Sequence, residues 1–332
     1  NWNVDRVTDM ALMFHSATAF NSDLSKWNVD NVASMHAMFY GCSAFNSDLS
    51  KWSVDRVTSM HAMFTSTPLL ADLAGWNVEK VTDMGWMFLS ATSFDSDLSN
   101  WNVGSVTSFV NTFKAAASFN SDLSRWDVGK ATSTSTMFHT AKAFNSDLSA
   151  WDVSKVTDMS STFAAAPSFN GGISKWDGSS VITMASMFSG ATSFAQTLCW
   201  DLSGVTITIN MFNGITGQAS VSSPYAMSGT TELQTAVSAW CSDSTTAETT
   251  YGHIKCWDTS AVTDMSYLIY THCGTSGSSF TRSTFNEDLS LWDVSSVTDM
   301  ENMFRYASVF NSDVSSWDVS RVETMEGIFR SA

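Results

Sequence analysis

Only 14% of the 332 residues are charged, yet the formal net charge is −16. So large a surplus of carboxylates excludes nucleic acid as a partner, which calls for basic patches, and opposes adsorption on anionic membranes. No apolar run approaches the roughly eighteen residues of a membrane span, so no membrane insertion is expected. Low charge with abundant Ser, Thr and Asn suits an extracellular or cell-surface setting. There is no initiator methionine or signal peptide, as expected of a mature or excised segment. No N-x-[ST] acceptor occurs, which leaves O-glycosylation open.

Tryptophan sets a period. Trp2, Trp27, Trp52, Trp76, Trp101, Trp126, Trp151, Trp176 and Trp200 follow one another at about 25 residues, and Trp257, Trp292 and Trp317 resume the series. A fixed period of this kind marks stacked coils. In the unit from Phe20 to Phe39, the apolar spacing from Leu24 through Trp27, Val29 and Val32 follows the rhythm of a leucine-rich repeat. Trp27 and Val29 alternate with Asn28, which predicts a short strand with one inward face. Val32, Met35, Met38 and Phe39 share one stripe, which predicts a short helix or 3₁₀ turn. Asp30 is its natural N-cap, a place held later by Ser154, Ser260, Ser295 and Ser320. Asn46, Ser47 and Asp48 predict the turn into the next coil. The expected fold class is an α/β solenoid of leucine-rich-repeat-like coils, each with one short parallel strand plus one short helix or 3₁₀ turn. A single coil cannot bury its apolar face alone, so neighbours complete it.

In chain order, residues 1–212 hold nine such coils. Two are degraded: Leu69-Leu70-Ala71 replaces Phe-Asn-Ser, and Ser133-Thr134-Ser135 replaces the first methionine. Residues 213–256 form an irregular spacer and helical lead-in. Within it, Gly214 to Thr230 predicts loop, and Glu232 to Trp240 predicts a helix with Leu233, Val237 and Trp240 on one side. Residues 257–332 add three further coils, with an insertion at about 271–281.

The motif F-N-S-D-L-S-x-W-D-V-S-x-V-T-D-M-x-x-M-F resembles the BspA-type leucine-rich-repeat surface proteins over nearly all of both arrays. The segment E-L-Q-T-A-V-S-A-W-C-S-D, continued by A-E-T-T-Y-G-H-I-K-C-W-D, is similar to the lead-in that opens arrays in that family. The resemblance implies a surface location and roles in adhesion or protein contact, with no catalytic residues to carry over. Val7, Val32, Val57, Val156 and Val297 stand where ordinary leucine-rich repeats keep a buried asparagine ladder, so horseshoe curvature does not transfer.

Four of five cysteines flank the interruption. Cys199 and Cys256 each precede a repeat tryptophan, and stacking of those coils would bring them within bridging range. The expected pairs are Cys199–Cys256 and Cys241–Cys273; Cys241–Cys256 is the rival, since spacing alone does not fix connectivity. Cys42 is expected to be a buried free thiol. Disulfides agree with an oxidising setting.

No motif for catalysis or for a nucleotide occurs, and no enzyme is expected. The recurrent Asn21-x-Asp23-x-Ser25 resembles the opening of a calcium loop, but Lys26 and Val32 stand where its glycine and bidentate glutamate belong. The favoured alternative is a ladder of turns in which Asn and Asp accept backbone N–H groups. No cofactor is therefore assigned, with Ca²⁺ as the weaker option. His36 and His61 share one slot, and His15 and His139 another, without metal-ligand spacing. The outward strand slot runs Asn3, Asn28, Ser53, Asn77, Asn102, then Asp127, Asp152, Asp177, Asp201, Asp258, Asp293, Asp318. Asp127, Asp152, Asp177, Asp201, Asp258 and Asp293 are the candidate binding residues. The expected function is structural: surfaces for adhesion or self-assembly, with copies joining end to end into a filament because both ends stop mid-repeat. The alternative is a module that recognises a glycan or host protein through this Asn/Asp ladder. The expected partners are therefore the chain itself, or other surface proteins and glycans.

Overall fold

The computed structural model describes residues 2–274 and 281–332. The chain divides into two compact units: Asn1–Gln196 with Leu202–Ser220, and Thr197–Asp201 with Val221–Ala332.

In unit 1 each coil is tied to the next through the methionine stretch. A parallel bridge joins Asp9 to Ser34, Ser34 to Ser59 and so on through Asp83, Ser108, Ser133, Asp158, Thr183 and Ile207. Between the second and third coils, the N–H groups of Met35, Ala37, Phe39 and Gly41 donate to the carbonyls of Ser59, His61, Met63 and Thr65 at 2.8–3.1 Å. The intervening N–H groups of Met38, Tyr40 and Cys42 turn back onto Met35, Ala37 and Phe39 at 3.1–3.3 Å.

This alternation corrects the expected helix and keeps, at every second residue, the i→i−3 bond of the 3₁₀ alternative. An α-helix keeps its N–H groups inside the element, whereas here every second one leaves for the next coil. The backbone meets that demand with two left-handed residues per coil, such as Leu12 and Ser16, Ala37 and Gly41, Trp86 and Ser90, Ala165 after Ser161. Each of the first kind is third in a four-residue turn, the place where a type II turn needs positive φ. Few of these are glycine, and an L residue there costs about 1–2 kcal/mol, offset by the hydrogen bonds that the conformation releases to the neighbour. The Trp-x-Val strand is also replaced in unit 1. The Trp52 N–H closes a turn on the Leu49 carbonyl at 3.0 Å, and the Val57 N–H one on Val54 at 2.9 Å, instead of pairing between coils.

The apolar slots stack as the period requires. Phe14, Phe39, Phe64, Phe88, Phe113, Phe138, Phe163, Phe188 and Phe212 form one column with ring centroids 5.5–5.9 Å apart. A second phenylalanine lies 3.8–4.1 Å away in the same coil, as in Phe39–Phe45 and Phe163–Phe169. Each tryptophan also reaches backwards. The Nε1–H of Trp52, Trp76, Trp101, Trp126, Trp151 and Trp176 donates to the leucine carbonyl of the preceding coil (Leu24, Leu49, Leu73, Leu98, Leu123 and Leu148) at 2.8–3.1 Å.

Regular elements are short and gather around the interruption: β1 (Thr197–Leu198), β2 (Ser220–Val221), β3 (Tyr225–Ala226), α1 (Thr230–Ser242), α2 (Ser244–Tyr251), β4 (Trp257–Asp258) and α3 (Leu268–His272). In unit 2, α1 buries Leu233, Val237 and Trp240, with Ala236 and Cys241 beside them. Asp243 begins α2 by accepting the Thr246 N–H. β3 pairs in parallel with β4, Tyr225 opposite Trp257. The strand and the helix expected of every coil are thus realised at Trp257–Asp258 and at α3, in the coil that the lead-in covers. Asp264, Asp299 and Thr324 continue the bridge pattern. Of the expected insertion at 271–281, Thr271 and His272 finish α3, and residues 275–280 lie outside the described residues.

Cys199 is joined to Cys256 and Cys241 to Cys273, with Cα atoms 5.1 Å apart in each pair. Cys42 is free and buried; its Sγ donates to the Phe14 carbonyl at 2.9 Å, and burial pushes the thiol pKa up, away from the reactive thiolate. No helix among the described residues is long and apolar enough to cross a membrane.

Candidate functional site

The recurring polar side chains are mostly engaged in holding coils together. Asn21, Asn120 and Asn145 each accept the N–H of the same slot one coil on, from Asn46, Asn145 and Asn170 at 2.7–2.9 Å. Ser47, Ser121 and Ser146 accept the N–H groups of Leu24, Leu98 and Leu123 from the preceding coil at 2.8–3.0 Å. The hydroxyls of Thr58, Thr82, Thr107, Thr132 and Thr157 donate to the carbonyls of Ala33, Thr58, Thr82, Thr107 and Thr132 at 3.2–3.3 Å. Asp23, Asp48, Asp97 and Asp122 close their own turns on the N–H groups of Ser25, Ser50, Ser99 and Ser124 at 2.8–2.9 Å. An asparagine ladder therefore exists, in the exposed turn and not in the valine slot. Among the described residues no three His, Cys, Asp or Glu side chains are grouped to hold a metal ion.

The six candidate aspartates are all exposed. In unit 1, Asp127, Asp152 and Asp177 lie in successive coils and accept the N–H groups of Gly129, Ser154 and Ser179 at 2.9–3.0 Å. Asp127 and Asp152 converge over Gly129, where an added β-carbon would stand 3.2 Å from Asp127 Oδ1 and 3.1 Å from Asp152 Oδ2. In unit 2, Asp258 and Asp293 close the same turn on Ser260 and Ser295, and Asp201 follows bridged Cys199 by two residues. Hydrogen bonds from the Ser154 hydroxyl and N–H hold the Asp152 carboxyl below its ordinary pKa. One oxygen of each turn is thus engaged locally. Asparagine, which holds this slot at Asn3, Asn28, Asn77 and Asn102, closes the turn at all four, accepting the N–H two residues on at 3.0–3.2 Å.

His36 and His61 stack at 5.3 Å between centroids. Although the spacing showed no carboxylate for them, Asp83 Oδ2 lies 3.1 Å from His61 Nδ1. The third coil's degraded turn leaves Leu70 65% exposed beside a hollow of about 390 Å³ lined by Asp72, Asp95 and Asp97 with Ala71, Ser93 and Ser96.

A second surface, unmarked by the repeat, lies in unit 2. The Arg282 guanidinium sits 4.6 Å over the Tyr270 ring, and Arg305 sits 5.3 Å over Tyr270 and 5.0 Å over Tyr306. The two rings are 6.0 Å apart. Arg305 Nη2 donates to the Tyr306 hydroxyl at 3.4 Å; that bond and the charge of Arg305, with Arg330 and Arg282 adding to it, lower the phenol's pKa. Glu301, the nearby carboxylate, already receives the Tyr267 hydroxyl and the Asn302 amide. Sequence reading missed this cluster because it recurs nowhere else. Its one signal is that Tyr270, Arg305 and Arg330 hold the same slot, thirteen residues after Trp257, Trp292 and Trp317.

A family model described as DUF285, Mycoplasma protein of unknown function, matches residues 1–71, 66–166, 144–238 and 241–332. No curated protein and no solved structure matches.

Proposed function

The chain belongs to this DUF285 repeat family, and from that premise we propose that it is a non-enzymatic extracellular protein whose coils supply contact surfaces for adhesion or self-assembly. In this reading the coils form a solenoid akin to the BspA-type leucine-rich-repeat proteins. One observation carries it: the recurrent polar side chains close turns or bond the adjacent coil, so the repetition builds a surface and concentrates no chemistry. The two disulfides suit an oxidising compartment, and an extracellular setting is the natural one.

Self-assembly is the part of this reading most directly open to test. Light scattering and negative-stain microscopy across a concentration series test this. Concentration-dependent filaments are expected, and a monodisperse monomer at high concentration removes self-assembly.

The alternative, recognition of a glycan or protein through the aspartate slot, is favoured by the exposure of Asp127, Asp152 and Asp177 in successive coils. Replacing all three by Asn keeps the turns and removes the charge. Adhesion unchanged by that triple variant eliminates the aspartate face as the contact.

A further inference from the structure

In a chain of net charge −16, guanidinium groups should find carboxylates. Yet neither ion pair among the described residues, His61–Asp83 or Lys255–Asp288, involves an arginine. Residues 275–280, Thr-Ser-Gly-Ser-Ser-Phe, carry no carboxylate that could serve Arg282. The Nε atoms of Arg282 and Arg305 are shielded and unpartnered, which leaves the terminal nitrogens as the donors available outward. Both guanidiniums lie against tyrosine rings, so their posture is set before any ligand arrives. A pre-oriented guanidinium loses little freedom when its planar fork meets a carboxylate or sulfate.

We infer that Arg282, Arg305 and Arg330, with Tyr270 and Tyr306, form a binding site for a sugar that carries a carboxylate or sulfate group. The oxyanion would sit on the outward donors of Arg305 and its neighbours, and the sugar ring would rest on the tyrosines, of which Tyr306 is 42% exposed. A compact ligand with one or two charges fits better than a long polyanion, which the acidic remainder of the chain would repel. The site gives a ligand class to the contact-surface reading and rests on it, but it uses other residues than the aspartate slot.

Titration calorimetry of the full chain with glucuronic acid, galactose 6-sulfate and unsubstituted galactose tests the site. At least one anionic sugar should bind ten times or more tightly than galactose, and more weakly as salt is raised. Arg305→Gln should lower that affinity at least tenfold with the melting temperature unchanged. Arg330→Gln, whose side chain is exposed, serves as a second variant should Arg305→Gln disturb folding. Equal binding of galactose, or no binding of either anionic sugar, overturns the proposal. So does selective binding of a peptide copying residues 143–152 while the sugars stay silent, which would assign the site to a second copy of the chain. Light scattering of the same samples separates the two claims, because assembly without sugar binding removes the site and leaves the contact-surface reading standing.

Discussion

Unit 1 and unit 2 stack the same motif but hold it together by different means. Unit 1 relies on ladders: alternate N–H groups, Asn, Ser and Thr side chains and tryptophan Nε1 all bond the adjacent coil. No disulfide lies within it, and its cysteine at position 42 stays a thiol. Unit 2 keeps the ladders where the period survives, and adds α1, α2, α3 and two disulfides where it fails. Strict repetition therefore takes over the work of regular secondary structure, and a chain that loses its count must replace the lost inter-coil bonds with local or covalent ones.

The strongest way to break this contrast is to remove a rung of the ladder. Phe113 stacks on Phe88 and Phe138 in the adjoining coils and on Phe119 in its own. Phe113→Ala should cost about 3–5 kcal/mol. Because each coil contacts only its neighbours, unfolding should also split into two transitions. Urea denaturation followed by hydrogen exchange would resolve them, and a single unshifted transition would contradict the ladder account.

Reduction of the disulfides probes the other side. The bridges close segments of 57 and 32 residues, for which chain entropy gives roughly 4 kcal/mol each. Cys241→Ala with Cys273→Ala should loosen unit 2 by about that much and leave exchange in the coils from Trp27 to Trp151 unchanged. Uniform loosening of both units would show that the bridges serve the whole chain. Next in size is Trp126→Phe, which keeps the packing and removes the Nε1 bond to the Leu98 carbonyl at 3.0 Å, leaving that carbonyl the Trp101 N–H alone. A loss of about 0.5–1.5 kcal/mol is expected, and no measurable loss would reduce the tryptophan ladder to simple burial.

Much of this was legible in the amino-acid order. The slots of Trp, Phe and Met gave the stacking, and the spacing of Leu233, Val237 and Trp240 gave α1. The backbone of the methionine stretch was not legible, because its residues satisfy a helical stripe and a turn ladder alike. Both place Met35, Met38 and Phe39 inward. They differ only in where the N–H groups go, and Ala37 or Trp86 in a left-handed slot carries no compositional mark. The Arg305–Tyr270 contact was hidden for another reason. The two residues share one periodic slot, thirteen after Trp257 and Trp292, but the coils fill that slot with different residue types, so no recurrence marks it.

The left-handed slots offer a gain rather than a loss. Ala165 has φ of 50° and faces Gly190 of the next coil, which holds the same slot with φ of 74°. Ala165→Gly relieves the strain but gives the unfolded chain more freedom, so a net rise of about 0.5–1 kcal/mol is expected. A fall in melting temperature would mean that the slot is shaped by its side-chain packing and not by φ.

The smallest effect separates the carboxylate coils from the amide coils. Asp152 is held below its ordinary pKa by the Ser154 hydroxyl and N–H. A carboxylate whose folded pKa is depressed gives its stability above the unfolded pKa of about 3.9, and that stability is lost as pH falls through the folded value. Asp152 is exposed, so solvent screening keeps the effect small. Asp152→Asn can still accept from the Ser154 N–H, as Asn102 does from Gly104, but it does not titrate. At pH 7 the variant should match the parent in urea, and near pH 3 it should lose less. If both lose equally in acid, the Asp152 turn does not contribute to acid unfolding, and the difference between amide and carboxylate coils concerns the outward face alone.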